Sequence, residues 1–193
     1  MCSPETLENF HNFLTIGEAT QICSRFHSDI WQPGCQVMWS GVPRNLVQTW
    51  ADQHGMQTLT TVMGPLMVHD HARCLWSLKS SKGWSRYMKG ASAMYAYHIA
   101  KDGGLVTVLT PPPPDLYNPF GGSNYQIVEE PILKGKLGPK VLKIEMVHPS
   151  IPGAEDFHYQ IWPNNETTVW HDHFGYPPPA THWRHAVQRR ASL

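Results

Sequence analysis

Few residues in this chain have the chemistry of a reaction centre, and they fall into three groups. The first is the acidic pair Glu129-Glu130, which follows Ser123-Asn124-Tyr125. A single ionised carboxylate in a water-poor pocket stabilises positive charge growing on a neighbouring atom, such as the anomeric carbon of a sugar losing its substituent. In an extended segment the two carboxylates point to opposite faces, so only one of them can serve. The second group is Trp39-Ser40-Gly41 with Arg44. A Trp face attracts a cationic ring, and the free N–H groups of a helix start, with an arginine beside them, receive an anion. The third group is His69-Asp70-His71 and His171-Asp172-His173, with His182 and His185 nearby, whose imidazoles suit a metal. Each group has a plain counterpart: a solvated acid, a core Trp, a helix cap, a serine bonding back to its own helix, a surface or stacking histidine. Histidines two apart converge on one ion only from a strand, which makes the surface reading the default for both stretches.

The elements that would carry these residues follow from periodicity. Leu7, Phe10, Phe13, Leu14, Ile22 and Phe26 recur at helical spacing after Ser3-Pro4, with a break expected near Gly17. Residues 35–41 form a short apolar run after the turn Pro33-Gly34. Pro43 then opens a helix through Leu46, Val47 and Trp50 that ends at Gly55. Residues 66–78 are compatible with a helix. Tyr87, Met88, Ala91, Met94, Tyr95 and Ile99 define a long helix stopped by Asp102-Gly103-Gly104, before the strand 105–109. Pro111 to Pro114 reads as a stiff connector into the loop 118–123. A strand at 141–147 precedes a Pro-, His- and Trp-rich stretch that lacks periodicity. The expectation is one α/β (α+β) domain over 1–193: an N-terminal helical part, a small parallel sheet with flanking helices in a core of about 36–147, and a wrap over 148–193.

Three segments together resemble the ADP-ribosyl cyclase / NAD glycohydrolase family. Met38-Trp39-Ser40-Gly41-Val42 is similar to its Trp-Ser strand end, with Thr58-Leu59 and Gly64 following at about the family's distance. Residues 87–96 followed by 104–108 are similar to its Ser-bearing helix that leads into a strand. Ser123 through Leu133 is similar to the segment that carries its catalytic Glu, here Glu129. The resemblance implies a site in a cleft between helical and sheet-bearing parts. There Glu129 stabilises an oxocarbenium ion, Trp39 stacks on nicotinamide, and Ser40, Gly41, Arg44, Met88, Ser92, Asn124 and Tyr125 bind the rest of the substrate. NAD or NADP is then the substrate, not a cofactor, and no metal or other cofactor is implied. Because the pyridinium leaves as neutral nicotinamide and needs no proton, one carboxylate suffices where ordinary glycosidases use two. Polar Asn124 resembles members that mainly hydrolyse, so the expected products are nicotinamide and ADP-ribose, with some cyclic ADP-ribose. The chain departs from the family in having Thr60 and Thr61 in place of an acidic pair. It also has Met88 in place of the second aromatic wall, unless Trp84 or Trp76 fills in.

Composition narrows the other options. Lys+Arg and Asp+Glu are 15 each, for a net charge of 0, which removes the field that nucleic-acid and anionic-membrane partners require. Apolar residues at 41% against 16% charged residues are enough for a core. No stretch approaches a membrane span and the start lacks signal-peptide character, so a cytoplasmic protein is expected, with homodimer formation left open. Its 4 cysteines, Cys2, Cys23, Cys35 and Cys74, have no CxxC pairing and no evident basic or His context, so reduced, inert thiols are expected. Ser192 after Arg189-Arg190-Ala191 matches a basic-directed kinase pattern, the terminal Ser192-Leu193 is a poor peroxisomal address, and Asn165-Glu166-Thr167 is a glycosylation triplet only under secretion. Two other classes compete with the glycohydrolase: a metal-dependent hydrolase or oxygenase using the His-Asp-His stretches, and a non-catalytic nucleotide-binding module.

Overall fold

The computed structural model describes residues 2–113 and 122–176. Ser3 caps α1 (Pro4–Glu8) by accepting from the Thr6 N–H. α2 (Ile16–Phe26) begins at Thr15, where a reciprocal capping box with Glu18 satisfies both ends of the turn. That box, not Gly17, is what splits the N-terminal helical pattern. β1 (Val37–Trp39) is followed by a turn at Gly41, whose φ of 74° suits glycine alone, and by α3 (Arg44–Gln53) and α4 (Leu59–Met63). The expected helix over 66–78 is absent, because Gly64-Pro65 allows only a 3₁₀ turn, Gly64–Met67, and a second, Trp76–Leu78.

α5 (Ser81–Asp102) runs between a serine cap at Ser80 and a left-handed Gly103, and β2 (Leu105–Leu109) follows it. Residues Tyr125–Glu129 form a wide i→i+5 turn that runs straight into α6 (Glu130–Leu133). β3 (Lys143–Val147), β4 (Tyr159–Trp162) and α7 (Thr167–Phe174) complete the described elements. The fold is mixed α/β. Its sheet has the order β1-β2-β3-β4, parallel through β3, with β4 antiparallel at the edge. Residues 148–176 therefore supply an edge strand and a helix with a buried Trp170 as well as loop.

Alternation along the strands divides the core. Met38, Val106, Val108, Ile144 and Met146 face a cluster with α2, α4, α5 and α6, whereas Val37, Leu109 and Val147 face Val47, Trp50 and Ala51 of α3. Both faces of the sheet are covered, as parallel strands require. Cys2 and Cys23 are joined as a disulfide with Cα atoms 6.2 Å apart, which corrects the expectation of four free thiols; Cys35 and Cys74 are free. The reversal of the chain between α1 and α2 brings this pair together, and spacing alone does not reveal it. No helix among the described residues is long and apolar enough to cross a membrane. Pro114, most of the loop 118–123, His182, His185 and Ser192 lie outside the described residues.

α5 approaches the connector between α1 and α2 closely. A Cβ on Gly90 would lie 2.4 Å from Leu14 Cγ and 2.8 Å from Phe13 Cβ. Gly90→Ala should therefore lower stability, since overpacking costs about 1–3 kcal/mol against the about 1 kcal/mol of helix propensity that alanine adds. The measurement is the urea midpoint; an unchanged or higher midpoint would show that this connector does not lie against α5.

Candidate functional site: a cleft at the end of the parallel strands

A cleft of about 250 Å³ opens where β1 ends. Its lining includes Trp39, Ser40, Gly41, Ser92, Asn124, Tyr125 and Glu129, brought together from three separate parts of the chain. β1 delivers Trp39 and Ser40 at its carboxyl end, the usual ligand-facing edge of a parallel sheet. The Ser40 N–H donates to the Leu109 carbonyl at 2.9 Å, which continues the β1–β2 ladder by one residue. Its side-chain Oγ, in a residue only 4% exposed, has no partner among the described residues. A buried hydroxyl in that state is a site waiting for a polar group.

Glu129 stands at the end of the wide turn, so the extended geometry considered for the acidic pair does not apply. Ser123 starts this turn. Its Oγ accepts from the Gln126 N–H at 3.2 Å, and Gln126 Oε1 accepts from the Ser123 N–H at 3.4 Å. The pattern Ser-x-x-Gln is a helix-start signature that was legible in the sequence. Helical geometry separates the two acids by roughly a quarter turn. Glu130 leaves the cleft and pairs with Lys134 at 2.6 Å, while Glu129 is buried at 7% exposure and lines it.

Burial raises the Glu129 carboxyl to about 7, against the Ser92 hydroxyl, whose hydrogen bond to the carboxylate lowers it. Ser92 thus lines the cleft beside Glu129 as the polar side chain that acts on it. Tyr95, one turn further along α5, donates its hydroxyl to the Gln57 carbonyl at 2.5 Å and lies 3.4 Å from that of Val37. Burial raises the Tyr95 hydroxyl well above its ordinary value, so it stays protonated and anchors α5 to the base of β1. The position of Ser92 is set by this anchor.

Two expected residues are not in the cleft. Arg44 is exposed at the first residue of α3, because the Gly41–Pro43 turn carries the chain away before the helix starts. Met88 packs against the main core one turn before Ser92. Neither Trp84 nor Trp76 replaces it: Trp84 stacks on Tyr87 and Trp76 on His69. Conversely, Met38, Leu59, Tyr95 and Ser123 line the cleft without having been singled out. Leu59 was one residue of the Thr58-Leu59 match. Met38, Tyr95 and Ser123 likewise lie within the segments that carry the resemblance, and none of them was assigned a role there.

The His-Asp-His stretches do not converge. His171 Nδ1 lies 3.2 Å from the Gly175 carbonyl and His173 Nδ1 3.0 Å from that of Val169, as both belong to α7. Among the described residues one His/Cys/Asp/Glu group has metal-holding proximity: Cys2, Cys23, His27 and His98, away from the cleft. The chain matches no protein-family model, and no curated protein shows significant sequence similarity to it.

A carboxyl held near 7 makes stability depend on pH. The folded chain binds this proton more tightly than the unfolded chain, whose value is near 4.5, so the stabilisation is complete below about 4.5 and is lost as pH rises through about 7. The difference corresponds to about 3 kcal/mol. Glu129→Gln should therefore gain that amount relative to the wild type between about pH 4 and pH 8. Urea unfolding of both proteins at the two pH values measures it. Parallel pH dependence of the two proteins would mean that Glu129 is solvated.

Proposed function

We propose that this chain is a glycohydrolase of NAD or NADP, with an architecture like that of the ADP-ribosyl cyclases, releasing nicotinamide and ADP-ribose. The observation that carries the reading is that Glu129, buried, shares one cleft with Ser92, Trp39 and the Ser40 hydroxyl, which has no partner among the described residues. Among the described residues Glu129 is the one carboxylate that lines the cleft, which suits a leaving group that needs no protonation.

The chemistry follows from charge. The pyridinium stacks on Trp39, with cation–π attraction worth about 1–2 kcal/mol. Its positive charge beside Glu129 favours the carboxylate over the acid, so substrate binding itself shifts the group towards its active form. As the C1′–N bond lengthens, its electron pair leaves with nicotinamide, which becomes neutral, and the positive charge moves onto the ribose. Glu129 meets that charge in a low-dielectric setting, where its electrostatic effect is largest. Water then bonds to C1′ and gives up a proton to solvent, which completes ADP-ribose. Asn124, exposed at the rim, leaves the cleft polar and open on the side from which water enters. The Ser40 hydroxyl, lining the same cleft, would bond a ribose or phosphate oxygen. The cleft volume is modest for a whole dinucleotide, so the nicotinamide riboside end occupies it and the adenosine end extends outside.

Incubation with NAD or NADP and chromatography of the products tests the reading. Nicotinamide should appear with ADP-ribose, and Glu129→Gln should reduce its release by about 10²–10³-fold. Tight NAD binding with no nicotinamide release would make the chain a nucleotide-binding module instead.

Two further variants read individual interactions. Activity should rise with pH through the Glu129 ionisation, and Ser92→Ala, which removes the bond that lowers it, should move that limb to higher pH. Trp39→Ala should raise KM about 5–30-fold with a smaller effect on kcat, if stacking acts mainly on bound substrate. A Ser92→Ala profile superimposable on the wild type would remove Ser92 from the site.

A further inference from the structure

We infer that, with its thiols reduced, Cys2, Cys23, His27 and His98 form a Cys2His2 site for one zinc-class divalent ion. The four residues come from three elements: the segment before α1, the last turn of α2 and its C-cap, and the second half of α5. One ligand atom from each lies within 4.8 Å of all the others. A tetrahedral site with two sulfurs at about 2.3 Å and two nitrogens at about 2.0 Å from the metal has ligand separations of about 3.3–3.8 Å. The group is therefore already near the required size, and the main movement is separation of the two sulfurs.

The imidazoles are what distinguish this group from a plain bridge. A disulfide has no need of ring nitrogens, yet each sulfur has one beside it: His98 Nε2 is 3.7 Å from Cys2 Sγ, and His27 Nδ1 is 3.4 Å from Cys23 Sγ. His98 is fixed in the orientation of a ligand. Its Nδ1–H donates to the Met94 carbonyl at 2.8 Å, leaving Nε2 with its lone pair towards the sulfurs. That arrangement is the usual outer support of a metal-bound histidine. Cys23 and His27 are four apart at the end of α2, the spacing that brings two side chains to one helical face. His27 Nδ1 also lies 3.0 Å from the Cys23 carbonyl, so binding exchanges that contact for the ion. Phe26 and Trp31 pack around His98 and form an apolar wall on one side.

Two thiolates balance the charge of a divalent ion, and the mixed sulfur and nitrogen set suits zinc rather than calcium or magnesium. Loading from the bridged form needs a reductant of the phosphine class. The phosphine takes the oxygen of one water and becomes its oxide, the S–S bond opens to two thiols, and both thiol protons leave as the ion binds. The site would join the N-terminal segment to α5, the helix that carries Ser92 on another face.

The test uses the full chain reduced with a phosphine, without oxygen, and then given zinc(II) or cobalt(II) alone. One equivalent of metal per chain is expected, and cobalt should show thiolate charge-transfer absorption together with tetrahedral visible bands. His27 is exposed, so His27→Gln should leave the fold intact while weakening zinc by more than about tenfold, since even an outer-shell partner costs that much. Cys23→Ser should abolish the charge-transfer band, and His69→Gln, in the exposed His-Asp-His stretch, should change neither stoichiometry nor spectrum. Cobalt binding without thiolate bands, affinity unchanged in His27→Gln, or a Cys2–Cys23 bridge that persists under reduction as read by intact mass would each overturn the site.

Discussion

The desolvation of one carboxylate organises the candidate site. Glu129 is removed from water between the wide turn and α5, and among the described residues the polar group that offsets its burial is the Ser92 hydroxyl. One neutral hydrogen bond offsets only part of the cost of burying a charge, which is why the carboxyl is held near neutrality. A fold that keeps such a group spends stability on it. The structural alternative of a solvated or ion-paired acid is realised next door, in Glu130 with Lys134.

α5 is the part on which this arrangement is built. Gly90 lets the α1–α2 connector approach it, Ser92 meets Glu129, Tyr95 bonds to backbone on two sides of the β1 entrance, and His98 faces the sulfurs of Cys2 and Cys23. These contacts are spread along and around one long, capped helix. A shift of α5 by a fraction of a turn would remove all four. The helix thereby packs against the N-terminal segment and also contributes to the lining of the cleft.

The i→i+5 turn has a comparable role at smaller scale. It places Tyr125 and Glu129, four residues apart and so on one side of the turn, in the lining of the cleft before the segment continues as ordinary helix. Wide turns of this kind are rare and are found disproportionately at functional sites, because they re-aim a side chain without ending the helix. Elsewhere in the molecule a second buried polar set has no such tension. His148 bonds to Thr110 on one ring nitrogen and to the Tyr159 hydroxyl on the other, and burial holds it neutral, down to about 4.

What was legible in the sequence is what local physics decides. The long apolar period of α5, its Gly103 stop, the β-branched strand after it and the Pro43 helix start all depend on near neighbours, and their positions agree with expectation to within a few residues. β4 and α7 were missed because their burial rests on ring packing around Trp170, not on a repeating apolar stripe. The meeting of Trp39, Ser92 and Glu129 rested on resemblance alone, since no spacing in the chain requires it. Tertiary structure alone decided which of two adjacent acids enters the cleft, that Arg44 and Met88 stay out of it, and that Cys2 meets Cys23. The reason is the same in each case: propensity and capping act over a few residues, whereas burial of a side chain depends on what distant segments bring to the other side of it.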